Sequence, residues 1–421
     1  MLETRASPGA VASPLAALDP YAVLRNRDFL LYLIGRFVAA LGQQMLTVAV
    51  GWELYERTRS ALALGMVGLT QMMPMVLFTL VAGHVADNYN RKRVILLTTF
   101  VIACAGLGLA LISGSRAPVF WIYFCLFAAG TARTFLWPAS SAFLPYLVPR
   151  QFFSKAVTWN SGSFQLSSVA GPAAGGALIA LTGQAWPVYA LNAATALACL
   201  ALISFVRRDH VVVQKEKMTL KSLVVGFKFV FASPMILGTI TLDLFAVLLG
   251  GATALLPVYA KDILQAGPSG LGLLQAALPL GSLLCALILA HRPPLQKAGR
   301  TLLQAVAGFG LATIVFGFSR WFWFSFLTLF LCGAMDNVSV VVRHTLVQLL
   351  TPDEKRGRVS AVNSLFIGTS NELGGFESGF VAYLSSPVFS VVSGGLGTIV
   401  VVLAVALIWP EMRKFGRLDA P

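Results

Sequence analysis

Charge is scarce in this chain. Of its 421 residues only 11% are Asp, Glu, Lys or Arg while 57% are hydrophobic, and the mean hydropathy is +0.78. A soluble domain carries about 25% charged residues, so an ordinary soluble fold is excluded. Cysteine is sparse too: Cys104, Cys125, Cys199, Cys285 and Cys332 all lie in apolar stretches at no metal-binding spacing. They read as small buried residues, which excludes a disulfide framework and a zinc site. The four histidines show no ligand pattern either. There is no Walker A glycine–lysine motif, so ATP-driven work by this chain is not expected. No nucleophile–base spacing or phosphate loop stands out, and every loop is short; neither an enzyme, a metal, a cofactor nor an appended receptor domain is expected. Residues 1–24 are rich in Ala, Pro and Ser without a long apolar core, and read as a disordered tail, not a signal peptide.

Long apolar runs are what the chain has in excess. Twelve approach the ~20 residues that a bilayer-spanning helix needs. They cover roughly 29–53, 62–86, 93–113, 119–143, 156–181, 186–206, 235–259, 269–290, 301–318, 322–346, 359–384 and 388–409. The implied fold class is an all-α polytopic membrane protein of twelve transmembrane helices, with the lipid bilayer as its partner. The net charge of +14 reflects topology and not a nucleic-acid partner. With the N-terminus in the cytoplasm, 23 of the 31 Lys and Arg fall on the cytoplasmic side. The opposite side holds five (Arg57, Arg59, Arg116, Lys261 and Arg320), while Arg36, Arg133 and Arg343 lie inside spans. This positive-inside bias predicts that both termini are cytoplasmic.

Displaced by 203 residues, the chain overlays itself. Gly130 meets Gly333, Pro149 meets Pro352, Asn160-Ser161 meets Asn363-Ser364, Gly171 meets Gly374, and Gly176 meets Gly379. A shift of 205 pairs Gly65 with Gly270 and Pro74 with Pro279. Transporters commonly carry such internal symmetry. It divides the chain into a tail (1–24), a six-helix bundle (25–206), a basic cytoplasmic linker (207–233), a second six-helix bundle (234–410) and a tail (411–421). Within the linker, Thr219–Ala232 alternates apolar and basic residues. That pattern suits an amphipathic helix on the inner leaflet, and equally a solvated connector.

Between the second and third spans lies Gly83-His84-Val85-Ala86-Asp87-Asn88-Tyr89-Asn90-Arg91-Lys92-Arg93. It resembles the signature loop of the major facilitator superfamily, with Gly83, Asp87, Arg91 and Lys92 matching and Asn88 and Asn90 replacing the usual Arg and Gly. Asn tolerates the left-handed backbone that Gly supplies, so the Asn90 departure is mild. The resemblance implies that Asp87 meets the start of the eleventh helix, near Arg358, and latches the two halves together when the outside is open. Gly171-Pro172-Ala173-Ala174-Gly175-Gly176 resembles the glycine–proline core of the antiporter-associated motif in the fifth helix. Ordinary helix packing accounts for it as well. Pro352–Gly379, with Ser370-Asn371-Glu372-Leu373-Gly374, is similar to the branch of bacterial siderophore (enterobactin-exporter-like) and drug exporters. The resemblance spans about residues 25–410 and implies a bacterial inner-membrane protein working as a monomer.

Ionisable groups inside spans are costly and face a cavity or a partner. Helices 1, 4, 7 and 10 line the cavity in the resembled fold, which makes Arg36, Gln43, Arg133, Trp137, Asp243 and Asp336 candidates for contact with substrate. Gln44, Gln71, Asn160 and Gln165 are further candidates, and Met72, Met73 and Met75 offer an apolar wall or plain packing. Arg133 and Asp336 correspond under the 203 shift and are expected to face each other across the pseudo-twofold axis. Glu372 is the leading proton-coupling candidate, since a poorly hydrated carboxyl favours its neutral form and can carry a proton; Asp243 and Asp336 compete with it. Glu377 lies about 140° round the helix from Glu372. Glu53 is expected to be solvated near the outer end of the first span, and Arg343 to snorkel or cap a loop. Together these features predict a secondary transporter that uses the proton gradient to export a hydrophobic or amphipathic small molecule, a drug or siderophore, by alternating access. Import of a polar metabolite by proton symport is the alternative.

Overall fold

The computed structural model of the chain describes residue 19 and residues 21–207, 227–292 and 296–416. Among them there is helix and no strand. In chain order the long helices are α1 (Arg27–Thr58), α2 (Ala61–Asn88), α3 (Arg91–Gly114), α4 (Phe120–Leu147), α5 (Phe153–Thr182), α6 (Trp186–Ser204), α7 (Pro234–Leu249), α8 (Gly267–Ala290), α9 (Ala298–Phe318), α10 (Phe322–Leu350), α11 (Asp353–Leu384) and α12 (Pro387–Ile408), followed by a short α13 (Pro410–Lys414). Eleven membrane spans meet both the length and the hydropathy of a crossing helix, with α7 counted together with its continuation to Ile263. The twelfth, α11, is 32 residues long and carries Asn363, Asn371, Glu372 and Glu377 along its membrane section. It is long enough to cross, and its polarity marks it as a helix that lines something.

Local chemistry sets the helix ends. Asn26 caps α1 by accepting from Asp28 N (3.0 Å) and Phe29 N (3.3 Å), and its amide donates to the Leu147 carbonyl at the end of α4 (2.8 Å). Ser60 and Ser386 cap α2 and α12 in the same way, each satisfying an orphan N–H of the first turn. At the other end of α1, Arg59 takes a left-handed conformation (φ 50°) to turn into α2. Helix α7 breaks at Gly250-Gly251 and continues as a 3-10 turn (Ala252–Leu255) and a π turn (Tyr259–Ile263). The break lets α11 approach, because a Cβ on Gly251 would overlap the Gly374 carbonyl.

The repeat is visible in packing. Gly130 seats α4 on α2 beside Pro74, and Gly333 seats α10 on α8 at Leu278, next to Pro279. The paired positions of the sequence thus meet each other in each half.

All turns joining odd to even helices lie at one end, the far end; the opposite turns, the end of α6 and the start of α7 lie at the other, the basic end. The cores differ between these ends. At the far end a single apolar cluster contains residues of both halves, including Leu54 and Tyr189 from the first and Leu255, Tyr259 and Leu271 from the second. At the basic end the halves have separate cores, one around Tyr32, Phe143 and Ile203, others around Leu302, Val342 and Met412 and around Val230, Ile240 and Val362. The molecule is closed at the far end and parted at the basic end.

The expected tail and linker fall largely on residues 1–18, 20, 208–226 and 417–421, outside the described residues. Where they are described they are packed. Ala22–Arg25 form a 3-10 turn with Val23 buried. Residues 227–232 are helical, with Val230 buried and Phe227 edge-on to Phe366 of α11 at 5.9 Å.

Candidate functional site

Between the halves lies a cavity of about 710 Å³. Its wall is rich in carboxamides: Gln43 and Gln44 on α1, Gln71 on α2, Gln165 on α5, Gln275 on α8, Asn337 on α10 and Asn371 on α11. Each is both donor and acceptor, so the wall hydrogen-bonds without committing to a charge. Two charged residues join them, Arg133 from α4 and Glu372 from α11. The Arg133 guanidinium donates to the Gln71 side-chain oxygen. Arg133 and Glu372 bring opposite charges to the same cavity from the two halves, yet no salt bridge joins them among the described residues. Gln44 donates to Ser168 Oγ (2.9 Å), and Gln165 donates across the halves to the Pro279 carbonyl (3.2 Å). Asn337 Oδ1 is buried without a partner among the described residues. Gly68 holds α2 against the Glu372 backbone, where any Cβ would overlap the Glu372 carbonyl oxygen.

Several sequence expectations change here. Arg133 does not face Asp336; its acidic counterpart is Glu372. Helix α10 turns Asn337, one residue on, into the cavity. Asp336 and Asp243 instead line a void of about 20 Å³ inside the second half, with Val306, Phe309 and Met335. There Arg343 forms a direct ion pair with Asp243, the two residues being 3% and 7% exposed. Arg343 therefore neither snorkels nor caps a loop. Arg36 lies outside the cavity lining, beside Tyr32 and Cys199. Trp137 shares the helix face of Arg133 at i+4, one turn nearer the basic end, and is 67% exposed beyond the lining. Met75 packs against Gly368 of α11, and Glu377 is half-buried beside Ser378 (3.3 Å).

The far end is held shut by backbone contact. Gly65 of α2 meets Gly379 of α11, a Cβ on Gly379 falling 2.6 Å from the Gly65 Cα; Gly176 of α5 meets Gly272 of α8, with the corresponding distance 2.9 Å. The other motif glycines face inward: Gly171 seats α5 on Gln44 and Gly175 seats it on Met45 of α1, while the Pro172 carbonyl abuts Gly272. A polar strap covers these crossings. Tyr55 and Arg59 donate to Asp262 on the π turn (3.1 Å from Arg59), Lys261 pairs with Glu56 (3.2 Å), and its ammonium lies 5.1 Å from the Trp52 ring centre. Glu53, expected in solvent, is 5% exposed and paired with Arg57 at 2.5 Å. Arg57 in turn donates to the Ala117 carbonyl (2.9 Å) in the α3–α4 turn. Burial is tolerable because the charge is paired on the spot.

At the basic end the signature segment is mostly helix. Helix α2 runs through Asn88, and only Tyr89 and Asn90 separate it from α3. Asn90 is extended (φ −63°, ψ 110°), not left-handed, because it caps α3 by accepting from Arg93 N (3.2 Å). Arg91 is buried and donates to the Ala86 and Ala142 carbonyls (3.1 Å each), with its guanidinium 4.9 Å from the Tyr146 ring centre. The Lys92 ammonium donates to the Ser204 and Val206 carbonyls (3.1 and 2.6 Å) at the end of α6, where a cation complements the helix dipole. Asp87 makes no hydrogen bond or ion pair among the described residues.

Two six-helix bundles, a repeat that maps one onto the other, and a polar cavity between them define a transporter of the major facilitator superfamily, not an enzyme. Within it, the chain belongs to the transmembrane secretion effector family, whose sequence profile matches residues 18–419. It is 28% identical over 391 residues to the enterobactin exporter EntS of Shigella flexneri, covering 91% of this chain and 92% of that protein. The same protein of Escherichia coli O1:K1 is 28% identical over 389 residues, with the same coverage. Among solved structures, a POT family transporter in complex with a thioalcohol-conjugated peptide superposes with a TM-score of 0.75 at 12% identity, covering 92% of this chain and 96% of that one. An inward-facing, occupied bacterial homologue of the human lysosomal transporter Spinster gives 0.73 at 14%, covering 94% and 97%. These structural likenesses show the shared fold.

Proposed function

We propose that this protein exports a siderophore-like, amphipathic small molecule across a bacterial inner membrane by alternating access, driven by protons entering through Glu372. The likeness to enterobactin exporters supports the cargo and the direction. The observation that carries the mechanism is the placement of Arg133 and Glu372, on opposite halves of one cavity and without a salt bridge. Positive-inside bias assigns the basic end to the cytoplasm and both termini with it, so the parted end is the inward side. A substrate entering there meets Arg133, whose planar fork suits an acidic oxygen, and a carboxamide wall that suits amides and hydroxyls. Hydroxyl and amide donors of the substrate bind the Glu372 carboxylate, so substrate and proton compete for the same group. Protonation from the outer side removes that acceptor and favours release outward, and loss of the proton to the cytoplasm readies the site for the next substrate. The carboxamides move the expected substrate from a purely hydrophobic drug toward the polar end of the amphipathic class. About 710 Å³ suits a drug-sized molecule.

The test is efflux from energised inverted vesicles, with a catecholate siderophore and a hydrophobic dye panel as parallel substrates. Proton-dependent accumulation of the siderophore, weakened by Arg133→Gln, is the expected result. Accumulation of neutral dyes alone, unaffected by Arg133→Gln, would contradict the proposed recognition. Uptake from the outside by symport would reverse the direction.

A further inference from the structure

At the basic end, away from the transport cavity, a second pocket of about 360 Å³ is lined by Arg300, Leu303 and Gln304 of α9 and by Pro410 and Arg413 of the C-terminal segment. This segment is held in place on the protein. The Gly416 and Phe415 carbonyls accept from Ala298 N (3.0 Å) and Gly299 N (3.4 Å), satisfying the first turn of α9. Met412 is fully buried against Gly238 and Gly299. The two arginines are therefore presented by a fixed wall. Both are exposed, and neither has an acidic or carbonyl partner among the described residues. Glu411, two residues before Arg413, points about 200° away round α13 and does not line the pocket.

The surface running from this pocket toward the bilayer centre is apolar. On α9 the exposed residues are Arg300, Gln304, Leu311 and Phe318, a stripe at helical spacing; on α12, packed beside it, they are Phe389, Leu396, Val400, Leu403, Leu407 and Ile408. Two unpaired guanidiniums at a membrane surface, with paired apolar stripes descending from them, match one ligand shape: a phosphate head with acyl chains.

We propose that this pocket binds the headgroup phosphate of an anionic phospholipid from the leaflet at the basic end, with its chains lying along α9 and α12. Arg300 and Arg413 hold the phosphate by charge-assisted hydrogen bonds, and Gln304 donates to it or to the glycerol. Basic pockets of this kind at the cytoplasmic side suit anionic lipids. The bound lipid staples the C-terminal segment to the second half.

The test is native mass spectrometry of the full-length protein, delipidated in mild detergent and titrated with phosphatidylglycerol, phosphatidylcholine or inorganic phosphate. Wild type should retain phosphatidylglycerol in preference to phosphatidylcholine. Arg300→Gln with Arg413→Gln should weaken that binding by about tenfold or more, while the Lys–Lys pair at the same positions restores most of it. Arg93→Gln with Arg150→Gln removes the same charge elsewhere on the basic side and should leave the site intact. Equal loss in that control, or unchanged binding in the Arg300/Arg413 variant, would overturn the proposal. Inorganic phosphate that displaces the lipid at micromolar concentration would overturn it in favour of a soluble phosphate ligand.

Discussion

Two charged clusters lie within the membrane section of this chain, and they differ in where they sit relative to its two halves. Arg343 and Asp243 lie inside the second half, buried and directly paired. Arg133 and Glu372 lie on opposite halves, at a shared cavity, with no salt bridge between them. Both clusters meet the cost of intramembrane charge. The first meets it within one half, so under the proposed alternating access the pair stays made as the halves move. The second meets it across the surface that the proposed mechanism opens, so its partners can be exchanged there for a proton or a substrate. On that reading only the second cluster takes part in transport.

The sharpest way to break this comparison is to remove one member of the rigid pair. Arg343→Ala leaves Asp243 buried and uncompensated, with an expected loss of about 3–5 kcal/mol, read as a collapse of thermal stability in detergent. Replacing both residues by Leu and Met should recover much of it; wild-type stability in the single variant would refute a structural role. Next in size, Gly176→Val with Gly379→Val pushes apart the backbones at the far end. Overpacking of this kind costs about 1–3 kcal/mol and should shift the population away from the far-closed state. Spin labels at exposed Arg116 and Arg320 would report a longer distance, and an unchanged distribution would count against the crossings as a gate. Arg133→Lys keeps the charge but loses the planar fork, and roughly a tenfold drop in siderophore transport is expected; full activity would show that a point charge suffices. The smallest effect belongs to the polar strap. Arg59 and Asp262 are 60% and 40% exposed at their side chains, so Asp262→Asn should cost about 0.2–1 kcal/mol of closure and matter less still at high salt. A larger shift in the same spin-label distance would make the strap, not the glycines, the main fastening.

Much of the fold was legible because each kind of residue had a single physical use. Apolar runs of bilayer length had to cross, and the paired Gly and Pro positions had to recur in both halves, as Gly130 with Pro74 and Gly333 with Pro279 do. Five basic residues broke the positive-inside pattern, and three of them have partners that explain the exception: Arg57 with Glu53, Arg59 with Asp262, and Lys261 with Glu56. That signal was present in the sequence and points to a far-end fastening. Rotation about helix axes was not legible. A shift of 203 puts Asp336 opposite Arg133, but one residue is 100° of helix, and α10 presents Asn337 instead. Likewise Asn90 matched a glycine position, yet its side chain found a better use as a helix cap. The cavity roles of Gln275, Asn337 and Asn371 are not legible in the sequence, because a lone carboxamide carries no spacing pattern; only the cavity gathers them. The Gly250-Gly251 pair, which breaks α7 and admits α11, is a signal present in the sequence.

The central claim is that Glu372 couples protons to movement of the two halves. Purified Glu372→Gln protein in liposomes, assayed both for pH-gradient-driven siderophore transport and for substrate–substrate counterflow, tests it most directly. A permanently neutral residue 372 should abolish gradient-driven accumulation, by about 100-fold or more, while counterflow continues. Gradient-driven accumulation at the wild-type level in this variant would contradict the account.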